Sequence, residues 1–176
     1  MFFFKKKVKS QSPTISPQPQ PPKPVQVIPP SPTVDAKIKK YKVTGTSHYV
    51  DNILSLATKN IDYDLSKKEL VDEGYDNERI YQYNFYPSKT ELVPEPDNPY
   101  DPNAVKVIVD DLLVGYIKAG SCTHILKVLK EDRIVKIECE IGGGNYKYLG
   151  YDEDEDKYFL EKYDSSYFVH LSITEK

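Results

Sequence analysis

The stretch AVKVIVDDLLVGYI, residues 104–117, contains two apolar runs separated by a pair of aspartates. Residues 104–109 and 112–117 are rich in valine, leucine and isoleucine, which favour the pleated and half-buried surface of a sheet. Asp110 and Asp111 between them are typical of a tight hairpin turn. The stretch therefore predicts a β-hairpin at the centre of the fold.

Short strand-like runs continue on both sides of this hairpin. They are rich in tyrosine, phenylalanine and β-branched residues and are separated by turn residues. Together they predict a mainly β (α+β) fold, a β barrel with helical insertions. The predicted strands cover residues 41–44, 79–86, 89–93, 134–141, 146–151, 157–161 and 167–173.

Three segments have helical signals, and the first is a turn or two suggested by Ile53, Leu54, Leu56 and Ala57. From Ser121 onward, apolar residues recur at the i, i+3, i+4 and i+7 spacing of an amphipathic helix. Ser66 and Glu69 have the spacing of a capping box, which predicts a short helix that ends near Glu73, before Gly74. The apolar stripe of the helix that begins at Ser121 consists of Cys122, Ile125, Leu126 and Leu129.

The first 40 residues differ in composition from the rest of the chain. Nine of the 14 prolines lie between Pro13 and Pro32, interleaved with polar residues. Such a segment cannot bury a core, so we expect a disordered, proline-rich spacer over 1–40 and one folded domain over 41–176. Alternatively, Pro19 and Pro22 have the PxxP spacing of a ligand for an aromatic groove.

Charge is also divided between the two parts. Residues 1–40 hold eight lysines and one acidic residue, a net charge of +7, whereas the remainder has 16 basic and 26 acidic residues, a net charge of -10. An acidic domain gains little from counterion release, which drives binding along a phosphate backbone. Any nucleic-acid ligand of the domain should therefore be bound locally.

Nothing in the sequence resembles a membrane span. No stretch approaches the roughly 18 apolar residues that a transmembrane helix needs. The opening Met1–Phe4 precedes its lysines, the reverse of a secretory signal, and weak contact with a membrane surface is the alternative. We therefore expect a cytoplasmic chain in which Cys122 and Cys139 remain reduced.

Signals for metal binding and catalysis are weak. His48, His124, His170 and the two cysteines share no metal-ligand spacing. Residues 142–144 are three glycines without the Lys-Ser/Thr of a phosphate loop, which predicts a strand bend or bulge. Asp152, Asp154 and Asp156 have the alternating spacing of calcium ligands, but the required glycine is absent, which predicts an exposed acidic hairpin loop. We expect no metal, no cofactor and no enzymatic activity.

Residues 93–103 form a segment with four prolines in nine residues. Each proline restricts φ, so the segment should be a stiff connection between two strands. As an alternative to a simple connector, Asn98, Tyr100 and Asp101 offer an amide, a ring and a carboxylate on a frame that loses little entropy on binding.

This segment resembles a known family. The run NPYDPNA, residues 98–104, followed by VGYI, residues 114–117, is similar to the central signature of HIRAN domains. The resemblance extends over about residues 41–173 and implies an OB-like β barrel with one or two helices. The stretch between about residues 56 and 82 is longer than the usual connection and predicts a helical insertion.

The resemblance also implies a function. HIRAN domains are often attached to helicases or nucleases and prefer single-stranded DNA with a free 3′ end. By this likeness Asn98, Tyr100 and Asp101 contact the terminal nucleotide, with Tyr116 at the next matched position and His48 where the family often has an aromatic ring. We therefore expect a DNA-end-binding module, in DNA repair or replication-fork processing, with a helicase or nuclease as partner.

A protein-interaction adaptor is the alternative function. In that case the barrel and the proline-rich tail would both bind polypeptides, and the acidic surface would face a basic partner. Binding of DNA should weaken with salt, whereas recognition of a proline-rich peptide in a groove should be nearly independent of salt.

Overall fold

The computed structural model describes residues 36–176. The expectations for the PxxP motif, for membrane contact and for disorder over residues 1–35 lie outside this range. Residues 37–40, which were also assigned to the disordered tail, belong to a strand that begins at Lys37, so the predicted boundary at residue 41 was too late. Strands dominate the described chain, and the predicted mainly β class is confirmed. The strands are β1 (Lys37–Thr44), β2 (Ala57–Lys59), β3 (Glu78–Tyr81), β4 (Tyr83–Phe85), β5 (Thr90–Pro94), β6 (Val105–Val109), β7 (Leu112–Ile117), β8 (Ile134–Gly142), β9 (Tyr146–Asp152), β10 (Lys157–Tyr163) and β11 (Phe168–Glu175).

Three α-helices and two 3-10 turns accompany these strands within residues 36–176. The helices are α1 (Val50–Ser55), α2 (Lys67–Asp72) and α3 (Ala119–Lys130), and the 3-10 turns are Thr46–His48 and Ile61–Asp64. None of the described helices has the length and apolar character required to cross a bilayer.

The largest sheet has six antiparallel strands in the order β5-β6-β7-β1-β11-β8. Its two outer strands, β5 and β8, come into contact, so the sheet curls into half a barrel. The side chains that point inward form one apolar core, which includes Val43, Val107, Val114, Ile125 and Leu171. This curl agrees with the barrel expected from the sequence.

The β6–β7 hairpin turns at Asp110 and Asp111, as predicted, and both aspartates have positive φ. The pairing of the two strands shifts after Val107, which lies opposite Gly115. Gly115 has a φ of 150°, and a β-carbon at this position would lie 2.6 Å from the Thr44 carbonyl oxygen of β1. Only glycine therefore allows β1 to approach β7 this closely.

Helix α3 begins at Ala119, two residues before the predicted start at Ser121. No side chain caps its first turn, which is why the sequence has no clear start signal. Cys122 and Ile125 are buried, as the apolar stripe predicts, and Val128 is buried with them. Leu126 and Leu129 pack against the same core while remaining partly exposed.

The predicted capping box is present in α2. The Ser66 hydroxyl accepts a hydrogen bond from the Glu69 amide, and the Glu69 carboxylate accepts one from the Ser66 amide. Leu70 of this helix packs with Ile80 of β3 and Leu149 of β9 in a second, smaller apolar cluster. The segment between residues 56 and 82 thus contains one α-helix, a 3-10 turn and two short strands.

The strand predicted over residues 79–86 is divided in the structure. β3 pairs with β9, whereas β4 pairs with β2. The break occurs at Gln82, whose amide donates to the Asn145 carbonyl and whose carbonyl accepts from the Asn60 amide. The prediction of one continuous strand was wrong because tertiary partners on two sides determine where the pairing changes.

Two turns match their sequence predictions. Gly143 and Gly144 follow the end of β8 with φ values of 97° and 83°, so the glycine run forms a sharp bend between β8 and β9. The acidic residues between β9 and β10 form an exposed hairpin turn, in which the Asp152 carboxylate accepts hydrogen bonds from the Asp154 and Glu155 amides.

Candidate functional site

The loop between β5 and β6 is held by its own backbone. The Glu95 amide donates to the Ala104 carbonyl at 2.8 Å, which closes the loop at its base. Within it, the Asn98 amide donates to the Glu95 carbonyl and the Ala104 amide donates to the Asp101 carbonyl. Because four prolines also restrict φ in and beside this segment, the loop is largely ordered before any ligand arrives.

The Asn98 side chain organises the tip of the loop. Its Oδ1 accepts hydrogen bonds from the Tyr100 amide at 3.0 Å and the Asp101 amide at 3.1 Å. Its Nδ2 donates to Glu95 Oε2 at 2.7 Å. These three bonds hold Tyr100 and Asp101 in place and leave one amide hydrogen of Asn98 for a ligand.

Glu95 joins the loop to the hairpin. Its carboxylate forms an ion pair with Lys106 of β6 at 2.5 Å and accepts a hydrogen bond from the Tyr116 hydroxyl of β7 at 3.0 Å. The bond from Lys106, followed by that from Asn98, lowers the pKa of Glu95 below its ordinary value. The carboxylate is therefore ionised at neutral pH, where it acts as the common acceptor for three side chains.

Tyr116 forms part of the wall above this carboxylate. Its pKa is raised, with burial as the largest cause and contacts with Tyr49 and Glu95 adding to it. The rings of Tyr49 and Tyr116 lie 6.3 Å apart and are tilted by 47°. Tyr116 is therefore a neutral hydrogen-bond donor packed beside a second aromatic ring.

Tyr100 and Asp101 differ sharply in exposure. The Tyr100 side chain is 96% exposed, the highest value among the large hydrophobic residues of the described chain that face solvent. Asp101 is half-buried, and its Oδ1 accepts a hydrogen bond from the Asn103 amide at 2.8 Å. Within residues 36–176 its second oxygen accepts no hydrogen bond, so the carboxylate can accept one from a ligand.

All five site residues predicted from the sequence meet at one groove of about 590 Å³. The groove lies between the β5–β6 loop, the 3-10 turn after β1, the end of β7 and the start of α3. His48 reaches it because Gly45, with a φ of 75°, turns the chain sharply after β1. The predicted residues in its lining are His48, Asn98, Tyr100, Asp101 and Tyr116.

The groove contains further residues that were not among the predicted site residues. Tyr49 and Glu95 line it, and Cys122 of α3 lies at its base. Burial, followed by the charge of Asp101, raises the pKa of the Cys122 thiol. Glu95 could have been noticed because it lies within the proline-rich segment, between Pro94 and Pro96, but the role of Tyr49 depends on a contact between distant parts of the chain.

No cluster of three or more histidine, cysteine or acidic side chains in residues 36–176 has a geometry suited to a metal ion. The three histidines lie in different places, His48 at the groove, His124 on α3 and His170 on β11. The described chain therefore offers amide, carboxylate, hydroxyl and aromatic groups at this site.

The described residues form a small β domain with a groove whose lining loop is held by its own hydrogen bonds. The family model of the HIRAN domain matches residues 40–141, and the chain belongs to this family. The matched range contains all five predicted site residues. HIRAN domains are DNA-binding modules, so membership supports nucleic-acid binding in general.

Among solved structures, the chain is similar to the crystal structure of the HIRAN domain of human HLTF. The sequence identity is 16%, the likeness covers 79% of this chain and 76% of that chain, and the TM-score is 0.34. The comparison with curated proteins found no match.

Proposed function

We propose that the groove binds the terminal nucleotide of single-stranded DNA with a free 3′ hydroxyl, and that the chain acts by binding without catalysing a reaction. The observation that carries this proposal is the position of the exposed Tyr100 ring beside the half-buried Asp101 carboxylate at the rim of one groove. A flat apolar ring and a lone acceptor suit a base and a hydroxyl, respectively.

Tyr100 is the stacking group. Its ring is almost fully exposed, yet its backbone is held by the Asn98 side chain, so little backbone freedom remains to be lost on binding. Stacking on a nucleobase contributes about 1 to 3 kcal/mol and depends little on base identity. His48, at the end of the 3-10 turn, provides a second ring that lines the same groove.

Asp101 selects the chemistry of the terminus. An ionised carboxylate only accepts hydrogen bonds, so it can bind the hydrogen of a 3′ hydroxyl. A 3′ phosphate has no comparable donor and places a second negative charge next to Asp101, which is partly removed from water. Attraction to one terminus and repulsion of the other therefore act in the same direction.

The acidic balance of the domain supports capture of an end over coating of a long strand. Residues 41–176 have a net charge of -10, so a long phosphate backbone would meet repulsion over most of this surface. Recognition of one terminal nucleotide requires only a local site. The lysine-rich tail would add phosphate contacts that do not depend on sequence.

The test is a titration of the full chain with labelled single strands that end in a 3′ hydroxyl or a 3′ phosphate. We expect the hydroxyl strand to bind more tightly, Asp101→Asn to reduce this preference, and Tyr100→Ala to weaken binding of both strands by about fivefold or more. Equal affinity of the wild-type chain for both termini would refute end recognition.

Two matched variants serve as controls. Asp97→Asn removes an exposed carboxylate from the same loop, and Tyr86→Ala removes a tyrosine that is 72% exposed outside the groove. Neither variant should change the ratio of the two affinities. If no strand binds, the protein-interaction function is favoured, and binding of proline-rich peptides becomes the next measurement.

Family membership also motivates a wider role. The resemblance to domains attached to helicases and nucleases leads us to propose that the chain acts with such an enzyme, in DNA repair or replication-fork processing. Co-purification from DNA-damaged cells, compared with the Asp101→Asn variant, tests whether association with an enzyme depends on the groove.

A further inference from the structure

The outer face of the six-stranded sheet has basic side chains next to the groove. Lys40 and Lys42 are exposed on β1, and they point to the same side as Thr44, which lines the groove at the end of this strand. Both lysines line a shallow depression of about 340 Å³ on this outer face. Neither forms an ion pair with a residue of the described range.

Two aromatic rings lie on the neighbouring strand of the same face. His170 of β11 is directly opposite Lys42 in the β1–β11 pairing and is exposed. The rings of Phe168 and His170 are 4.9 Å apart with an angle of 33° between their planes. Phe168 can lie against the sheet because its partner on β8 is Gly142, where a β-carbon would come within 2.6 Å of the ring.

We propose that these four residues, the outer track, bind the nucleotides that precede the terminal nucleotide held in the groove. This inference rests on the proposed function. Charges on one strand with flat rings on the next match a single strand, whose phosphates follow one edge while its bases stack on the other side. The outer track consists of Lys40, Lys42, Phe168 and His170.

The geometry of β1 supports this path. Residues that alternate along a strand recur on one face about every 6.6 Å, so Lys42 and Lys40 continue outward from Thr44 in two equal steps. This spacing is comparable to the distance between neighbouring phosphates of an extended single strand. A strand whose 3′ end occupies the groove would therefore place two successive phosphates over the two lysines.

Acidic residues limit the track on its other side. Glu138 and Glu140 of β8 line the same depression and lie two strands away from the lysines, about 10 Å across the sheet. Glu138 is paired with Lys136, so the repulsion of phosphates comes mainly from Glu140, which lies opposite His170 and favours a strand whose phosphates stay over β1. The lysines therefore lie on one side of this face and the acidic residues on the other. This arrangement directs a single strand along the outer track, which a uniformly basic surface would not do.

The experiment compares a dinucleotide with a ten-nucleotide oligothymidylate, both with 3′ hydroxyl ends, at several salt concentrations and with the full chain. We expect the longer strand to bind the wild-type chain more tightly. The double variant Lys40→Ala/Lys42→Ala should lose this gain. In a plot of log affinity against log salt concentration, its slope should be less steep by about 1.4, because each of two lost phosphate contacts contributes about 0.7.

The matched control removes the same amount of charge elsewhere. The double variant Lys127→Ala/Lys130→Ala changes two lysines in the last turn of α3. The groove is lined by Ala119, at the opposite end of this helix. This control should keep both the length gain and the salt dependence. His170→Ala should reduce the affinity for the longer strand by about fivefold while the affinity for the dinucleotide stays the same.

The outcomes separate the outer track from the groove. If the lysine double variant keeps the length gain and the salt dependence of the wild-type chain, the outer track is refuted and end recognition is unaffected. If the wild-type chain binds strands with a 3′ hydroxyl and a 3′ phosphate equally well, end recognition is refuted, independently of the result for the lysine double variant. Absence of binding to either strand would overturn both.

Discussion

At the scale of single residues, Glu95 connects the segments that form the groove. It accepts bonds from Lys106, Asn98 and Tyr116, which belong to three different segments. The pKa of its carboxyl is lowered from an ordinary value of 4.5, so the folded state favours the ionised form. The stabilisation is complete above the ordinary value and is lost as the pH falls through the lowered pKa.

This coupling predicts a pH-dependent effect of Glu95→Gln. At pH 7 the variant should unfold at a lower urea concentration than the wild-type chain, because an amide pairs poorly with Lys106 and turns an N–H donor toward other donors. Below pH 4.5 the difference should shrink as the wild-type carboxylate is protonated. Urea unfolding measured from pH 7 to pH 3 tests this.

Glu91→Gln is the control for this measurement. Glu91 lies on the same strand, β5, but its ion pair with Lys89 is largely exposed to solvent, so its loss should change stability little at any pH. A difference between wild-type and Glu95→Gln chains that stays constant across the whole range would contradict the role given to the Glu95 carboxylate.

At the scale of elements, the β6–β7 hairpin carries one wall of the groove and depends on Gly115. The missing side chain lets Val43 and Thr44 of β1 approach β7, which places Tyr116 next to Thr44. The Thr44 hydroxyl donates to the Tyr116 carbonyl and reinforces this contact. Close packing of β1 on β7 is thus a condition for the groove as well as for the core.

Gly115→Val should therefore destabilise the fold by about 2 to 3 kcal/mol or more. The new β-carbon would lie 2.7 Å from Val43 Cγ1, and the backbone has a positive φ that valine avoids. Gly120→Ala is the matched control, because a β-carbon added at Gly120 would have no atom within 4 Å and this residue is helical. Urea unfolding that is identical for Gly115→Val and the wild-type chain would contradict this packing.

At the scale of the whole molecule, the first and last strands close the fold together. β1 pairs with β11 from Lys37 to Lys42. At the end of β11, Glu175 is only 2% exposed and is bonded to Lys39 and His124. Burial by itself would raise the pKa of Glu175, but these bonds outweigh that cost and lower it.

The position of β1 leads to a prediction about truncation. A chain that begins at residue 36 should be as stable as the full chain, whereas one that begins at Tyr41 should be less stable by about 2 kcal/mol or more. The shorter chain lacks the first half of β1 and the charged bonds of Lys39 to Glu175. Urea unfolding of both fragments provides the comparison.

A third variant separates the two causes. Lys39→Ala in the full chain removes the ion pair but keeps the pairing of β1 with β11, so it should lose only part of that stability. Equal stability of the two fragments would show that the folded domain begins at Tyr41. That result would support the boundary between residues 40 and 41 that composition predicts.

Much of the local structure could be predicted because it is encoded over short distances. The hairpin at Asp110 and Asp111 and the capping box of Ser66 and Glu69 involve neighbours within a few residues. The division at Gln82 could not be predicted, because its partners Asn60 and Asn145 lie far away in the sequence. For the same reason the bond between the Tyr116 hydroxyl and Glu95 was visible only in the structure.

The sequence by itself indicated the mainly β class, the stiff proline-rich loop and five of the residues that line the groove, because composition, turn residues and a short motif are local properties. Only the tertiary structure decided that Glu95 joins Asn98 to Tyr116, and that β1 places Lys40 and Lys42 beside the rings of β11. Such contacts depend on sheet order and register, which side chains from distant segments establish together when they pack.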